Sequence, residues 1–391
     1  MGRPVFCGGY HGEPAGQWPV DCCLESRRHR AQMPRPVEAI IDLEAMRNNL
    51  AVARRHAAHA GVFAVVKADA YGHGLERVLP ALEAADGFAV IEPDAALLIR
   101  RTGITKPVLM LEGFFDEQEM LMASVHRLDT VVHEPSQVDR VVSARLPQPL
   151  TVFIKVNTGM NRLGFPLEAL AAVREKLVSS PNVGEVLAMT HFADADGERG
   201  VDWQLQPLSQ AATSLRLKIC AANSAALLRY PHSCGAWVRP GIMLYGASPF
   251  EDMPGPGLGL RPVMTLRSRI IGVQDLAPGD CLGYGCTFIA DKAMRIGIVA
   301  AGYGDGYPRH APRGTPVLVD GRRASTIGRV SMDTLFVDLS SLPGAGAHST
   351  VTLWGEGLPV EEIAGAAGTV SYELLTKVTR RVPFVMRHAS G

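Results

Sequence analysis

Between about Pro36 and Arg261, short apolar runs alternate with segments rich in Ala, Leu and Glu, and this alternation leaves few folds open. The runs are "AIIDL", "FAVVKA", "FAVIE", "VLML", "TVVHE", "TVFIKVN", "VLAMTHF", "LKICAANS" and "WVRPGIMLYG". Between them lie helical stretches such as "GLERVLPALEAAD" and "PLEALAAVREKLVSS". Strands joined through helices lie parallel in one sheet. About eight such units in this length predict a closed (β/α)8 barrel rather than an open sheet. The pattern changes at "EDMPGPGLGLRP", a Pro/Gly-rich linker or ordered crossing. Beyond it, strands such as "VMTLRSRIIGVQDL", "TPVLVDG", "TLFVDLS" and "STVTLWG" follow one another with turns between them. "LVDGRRAS" carries an Asp-Gly hairpin signal. Only "VEEIAGAAG" and "SYELLTKV" read as helices there. The predicted fold class is α/β: an N-terminal TIM-type barrel over residues 33–262 and a C-terminal all-β domain over 263–391.

A chain of 391 residues is long enough for two such cores. Its 39 basic and 39 acidic side chains balance, so no nucleic-acid or polyanion partner is expected. No apolar run approaches the roughly 18 residues that span a bilayer, and no membrane association is expected. Residues 1–32 are rich in Gly, Pro and Arg and lack the apolar stretch of a signal peptide. They read as a disordered extension, or as a start upstream of a true initiation near Met33. The seven cysteines are an odd, scattered set, which argues against a disulfide framework and for a reducing cytoplasm. Cys7, Cys22 and Cys23 have no matching second pair, and His56 and His59 read as helix-surface residues, so no metal is expected.

In a βα barrel, functional side chains stand just past the C-terminal ends of the strands. Lys67 follows "VFAVV", Arg162 follows "TVFIKVNTGMN", and His191 follows "VLAMT". Asn223 and Ser224 follow "LKICAA", and Arg239, Gly241 and Ile242 follow "AWV". Singly, each has an ordinary reading: a solvated lysine, a hydrogen-bonded core histidine, structural arginines, and an Asn-Ser pair capping the next helix. Together on one rim they point to chemistry. A lysine above a dry strand suits an imine. The N–H groups of "NSAA" and "RPGIMLYG" suit a phosphate. The combination describes pyridoxal 5'-phosphate (PLP). A cofactor-free Schiff-base aldolase is the competing reading, and it leaves the β domain without a role.

These residues bring the chain close to one family. "AVVKADAYGHG" resembles the PLP-lysine signature of the alanine racemases, the fold-type III PLP enzymes. "KVNTGMNRLGF", "THFADAD", "NSAA", "VRPGIMLYG", "GYGCTF", "GYGDGYPR", "VSMDT" and "SYELL" resemble further motifs of that family, in order, over about Met33 to the end. The resemblance implies that Lys67 holds PLP, with Tyr71, Ser224, Gly241, Ile242 and Tyr372 on the phosphate. Asn223 belongs to the same cofactor-binding group. It implies Arg239 at the pyridine nitrogen, and Arg162 on the cofactor's phenolic oxygen and the substrate carboxylate. Lys155 matches a position carbamylated in some relatives. Tyr284 would be the second catalytic base, coming from the other subunit with Met332 and Asp333, and His191 would link it to Arg239. The implied protein is a cytoplasmic homodimer with composite sites, acting on alanine.

Racemisation needs a proton removed from one face of Cα and returned on the other, which two opposed bases accomplish. An ordinary tyrosine is ionised about one time in a thousand at pH 7, and a nearby cation lowers that cost. An arginine keeps its proton, so at the pyridine nitrogen it weakens the electron sink, which disfavours transamination. Tyr303, Tyr284 and Met332 favour a small side chain over lysine or arginine. Ser331 and Thr376 depart from the family, standing where many relatives carry cysteine. The alternatives are a fold-type III decarboxylase, a racemase of broader specificity, and a PLP-carrier protein. A decarboxylase would carry a carboxylate at the place of Arg239, and a carrier would lack a β domain.

Overall fold

The computed structural model describes residues 35–387. The reading of residues 1–32 as an extension, with its three cysteines, therefore lies outside the described residues. Strands Gly61–Val65, Gly87–Val90, Val108–Met110, Asp129–Val132, Leu150–Asn157, Val183–Met189, Lys218–Cys220 and Trp237–Val238 pair in parallel, each with the next. The last pairs back onto the first, Trp237 opposite Gly61, so the sheet closes into the expected barrel. Strands buried on both faces read as continuous apolar runs, and Gly87–Val90 is buried at every position. Phe63 and Phe153 meet edge-on inside, their ring centroids 6.0 Å apart.

One of the nine apolar runs belongs elsewhere. Strand Glu38–Ile41, in "AIIDL", pairs antiparallel with Met264–Leu276 and parallel with Phe384–Met386. It is part of the C-terminal sheet. The helix Leu43–Ala57 then carries the chain to the barrel, its N-terminus capped by the Asp42 carboxylate on the Ala45 N–H at 2.9 Å.

In the β domain, six antiparallel strands also close on themselves. Their order round the ring is Met264–Leu276, Met294–Val299, Leu335–Asp338, Arg322–Ile327, Pro316–Val319 and Thr350–Trp354. The Asp-Gly signal is a two-residue turn: Val319 pairs with Arg322, with φ of 46° at Asp320 and 76° at Gly321. Positive φ at both residues matches the twist of the flanking strands. Val360–Ala367 and Ser371–Thr376 are the α-helices here. The Pro/Gly stretch is an ordered crossing. The Glu361 carboxylate accepts the N–H groups of Ser248 (2.7 Å) and Gly255 (2.8 Å), and the Asn49 amide exchanges two hydrogen bonds of 2.8 Å with the Arg261 backbone.

No disulfide framework is expected from the sequence, and among the described residues there is a single bridge. Cys281 and Cys286 are joined, while Cys220 and Cys234 are free thiols. Among the described residues, no helix is long and apolar enough to cross a membrane.

Candidate active site

The chain leaves the strand Gly61–Val65 into an unusual turn. Ala68, Asp69, Ala70 and Tyr71 have φ of 53°, 52°, 54° and 52°, a single left-handed turn built without glycine. That conformation costs roughly 1–2 kcal/mol per residue, so surrounding contacts must hold it. The N–H of Ala70 donates to the Val66 carbonyl (3.0 Å), and that of Gly72 to Ala68 (2.9 Å). The Asp69 carboxylate accepts the Leu75 N–H at 2.7 Å. The buried His73 donates from Nδ1 to the carbonyls of Tyr71 and Ala70 at 3.0 and 3.1 Å. Gly72 has φ of 79°, and a Cβ there would lie 2.3 Å from the Leu375 carbonyl. The turn is thus pressed against the helix Ser371–Thr376, which brings Tyr372 to within 5.9 Å of Tyr71, ring centre to ring centre.

Lys67, Tyr71, Lys155, Arg162, His191, Asn223, Ser224, Arg239, Gly241, Ile242 and Tyr372 all line one cavity of about 660 Å³. The barrel rim therefore does gather the residues drawn from its strands. One end of the cavity is a cradle. Ser224 Oγ accepts the N–H of Gly241 at 2.9 Å, and a Cβ on Gly241 would stand 2.5 Å from the Tyr71 hydroxyl. Only glycine leaves that phenol room. Asn223 also makes the ordinary contact expected of it: its side chain caps Ser224–Arg229 on the Ala226 N–H at 2.9 Å. Tyr71 stacks on the buried Tyr245 at 4.6 Å. Burial pushes the Tyr71 phenol well above its usual range and that of Tyr372 to about 12, so both remain neutral donors.

The rest of the cavity is strongly cationic. Lys67, Lys155, Arg162 and Arg239 face the carboxylates of Glu112 and Glu373. Burial, then Arg162, lowers the pKa of the Lys67 amine. Burial, then Arg239 and Arg162, brings that of Lys155 down to about 8. Arg162 rides on a loop set by Asn157, whose side-chain oxygen accepts the N–H groups of Gly159 (3.1 Å) and Asn161 (3.0 Å).

His191 lines the same cavity as Arg239. Burial first, then Arg239, lowers the imidazole pKa to about 3, so it stands neutral at pH 7. The Arg239 guanidinium donates to the Cys220 carbonyl (2.7 Å) and thiol (2.9 Å), and to the carbonyls of Thr190 (2.7 Å) and Ala221 (3.2 Å). Positive charge at this wall thus rests on Arg239.

Glu112 was missed by the sequence reading, although it obeys the same rule: it stands two residues past the strand Val108–Met110. Four expected site residues do not line this cavity. Tyr284 is 75% exposed at the tip of the hairpin Cys281–Leu282/Phe288–Ile289, and Met332 is 52% exposed. Asp333 pairs with Arg381, and Tyr303 lines a neighbouring cavity with Glu373 and Lys377.

Two family models match the chain: "Alanine racemase, N-terminal domain" over residues 41–249 and "Alanine racemase, C-terminal domain" over 263–386. The alanine racemase of Thiobacillus denitrificans is 57% identical over 349 residues, covering 89% of this chain and 95% of that protein. The alanine racemase of Nitrosomonas eutropha is 52% identical over 358 residues, 90% of this chain and 99% of that protein. The crystal structure of biosynthetic alanine racemase from Pseudomonas aeruginosa superposes with a TM-score of 0.86 at 47% identity, covering 90% of this chain and all of that one.

Proposed function

The chain belongs to the alanine racemase family, and on that premise we propose that it interconverts L- and D-alanine with PLP held at Lys67. The single observation that carries this reading is the pairing, in one cavity, of a half-buried amine with a cradle of neutral hydroxyls. The donor set fits the cofactor. Tyr71, Tyr372, Ser224 and the Ile242 N–H suit a phosphate, with Gly241 leaving the Tyr71 phenol room and turning Ser224 Oγ by its own N–H, and Asn223 capping the helix that carries Ser224. Arg239 suits the pyridine nitrogen, and its four hydrogen bonds to the barrel wall fix it there. PLP, when bound, withdraws electrons from the amino acid and makes its Cα proton acidic.

The protein's own groups would do the rest. Arg162 pairs with the substrate carboxylate. Burial beside Arg162 enlarges the neutral fraction of Lys67, so Nζ can accept the proton on one face. Tyr284 Oη of a second copy supplies a proton to the opposite face. Lys155, with a pKa of about 8, keeps enough neutral amine to react with carbon dioxide, and we propose it as a carbamylated lysine orienting Arg162. Met332 and Asp333 of the second copy join Tyr284 at the cavity, and Tyr303, Tyr284 and Met332 narrow it to a small side chain. A homodimer is part of the proposal: Tyr284, Met332 and Ile289 are each exposed large side chains in the single chain, and a partner would cover them. Residues 33–262 and 263–391 are proposed as the barrel and β modules, joined additionally by the strand Glu38–Ile41, and the cytoplasm as the working compartment.

The test is direct. The purified protein is expected to show an imine absorption band and to carry L-alanine to zero optical rotation, and Lys67→Ala is expected to lose both. Release of carbon dioxide, or PLP binding without turnover of any amino acid, would contradict the proposal.

A further inference from the structure

Tyr284 lies between two cysteines in "DCLGYGCTF". The hairpin that carries it is small. Cys281 pairs with Ile289 and Leu282 with Phe288, and this two-stranded sheet joins neither of the large ones. So short a hairpin holds its shape weakly alone. Between its strands the backbone turns left-handed at Gly283, Gly285 and Cys286, with φ of 70°, 74° and 46°. The Cα atoms of Cys281 and Cys286 are 5.0 Å apart, within the span of a disulfide, and the two sulfurs are bonded. The covalent link closes a ring with the phenol inside it.

Both cysteines are exposed in the single chain. Arg329 Nη1 would stand 3.4 Å from a Cβ built on Gly285, which sets a guanidinium against the loop between them.

We propose that Cys281 and Cys286 are a reversible dithiol–disulfide site for low-molecular-weight disulfides, and that its oxidised form holds Tyr284 in its working position. In oxidation, the thiolate of one cysteine attacks the small disulfide and expels one thiolate. The second cysteine attacks the mixed disulfide and expels the other. Two electrons pass to the small disulfide, two small thiols leave with the cysteine protons, and one protein disulfide forms. Reduction by a thiol reverses each step. The inference builds on the role proposed for Tyr284, and its chemistry is readable without that role.

The holoenzyme is equilibrated in mixtures of reduced and oxidised glutathione, and each sample is divided three ways. Alkylation with peptide mass analysis reads the pair, amide hydrogen exchange reads residues 281–290, and alanine racemisation reads the site. Oxidation is expected to convert the pair to the disulfide and slow exchange in the loop at least tenfold. Reduction is expected to lower kcat several-fold at constant PLP content. Cys281→Ser/Cys286→Ser is expected to show the kcat of the reduced enzyme in every mixture. A pair that stays dithiol in the most oxidising mixture would overturn the proposal. So would loop exchange indifferent to redox state, or a kcat unchanged or raised by reduction. Absence of racemisation in every sample contradicts the proposed function instead, and alkylation and exchange still decide the dithiol site.

Discussion

The contact between Gly241 and Tyr71 decides how the cradle is built. A methyl group on residue 241 would stand 2.5 Å from the Tyr71 hydroxyl, which forces the phenol out of the place proposed for it. Gly241→Ala is expected to weaken PLP binding at least tenfold in a titration of the apoenzyme. Tyr71→Phe/Gly241→Ala is expected to bind no worse than Tyr71→Phe, because the two changes disturb one contact and do not add. His191 supplies a second residue-scale expectation. The unfolded chain protonates this histidine near pH 6.5 and the folded chain near 3. Between those values the unfolded state carries the extra proton, so stability falls as pH falls, with a slope of up to about 1.4 kcal/mol per pH unit for this group. Denaturant midpoints measured from pH 6.5 down to 4 are expected to fall less steeply in His191→Asn. Lys67, Asn223 and Arg239 were legible because each is the first polar group past an apolar run. Glu112 obeys that rule too, standing directly past "VLML". The neutrality of His191 was not legible, since it comes from burial among cations drawn from other strands.

Elements follow the same logic with different signals. Asp320-Gly321 announces its turn, because both residues tolerate positive φ. A Cβ on Gly321 would meet nothing within 4 Å, so Gly321→Ala is expected to lower stability through backbone strain alone, by about 1 kcal/mol in urea unfolding. The left-handed turn 68–71 announces nothing. It contains no glycine, and its conformation is set by the packing of Gly72 on Leu375 and by the hydrogen bonds of Asp69 and His73. Ala68 is exposed with φ of 53°. Ala68→Gly is expected to raise stability by up to about 1 kcal/mol in the same assay, and Ala68→Val to lower it by a similar amount. The strand Glu38–Ile41 was read with the barrel because its composition matches the barrel strands. Its partners at Met264–Arg267 and Phe384–Met386 are too distant in sequence for local pattern to show them.

On the scale of the whole molecule, eight parallel strands were countable, but their closure depends on Trp237 meeting Gly61, which periodicity does not reveal. The family resemblance implies that Lys67 and Tyr284 serve one chemistry, with Tyr284 coming from a second copy. In this chain Lys67 lines the cavity, and Tyr284 stands exposed on the β domain. The proposed reaction therefore requires two copies, each completing the other's site. Lys67→Ala and Tyr284→Ala, each inactive alone, are to be mixed under conditions where subunit exchange is followed by mass. Half of the randomly formed dimers are hybrids, and each hybrid holds one intact site of two, so recovery of about a quarter of wild-type activity is predicted. No recovery after demonstrated exchange would contradict the account.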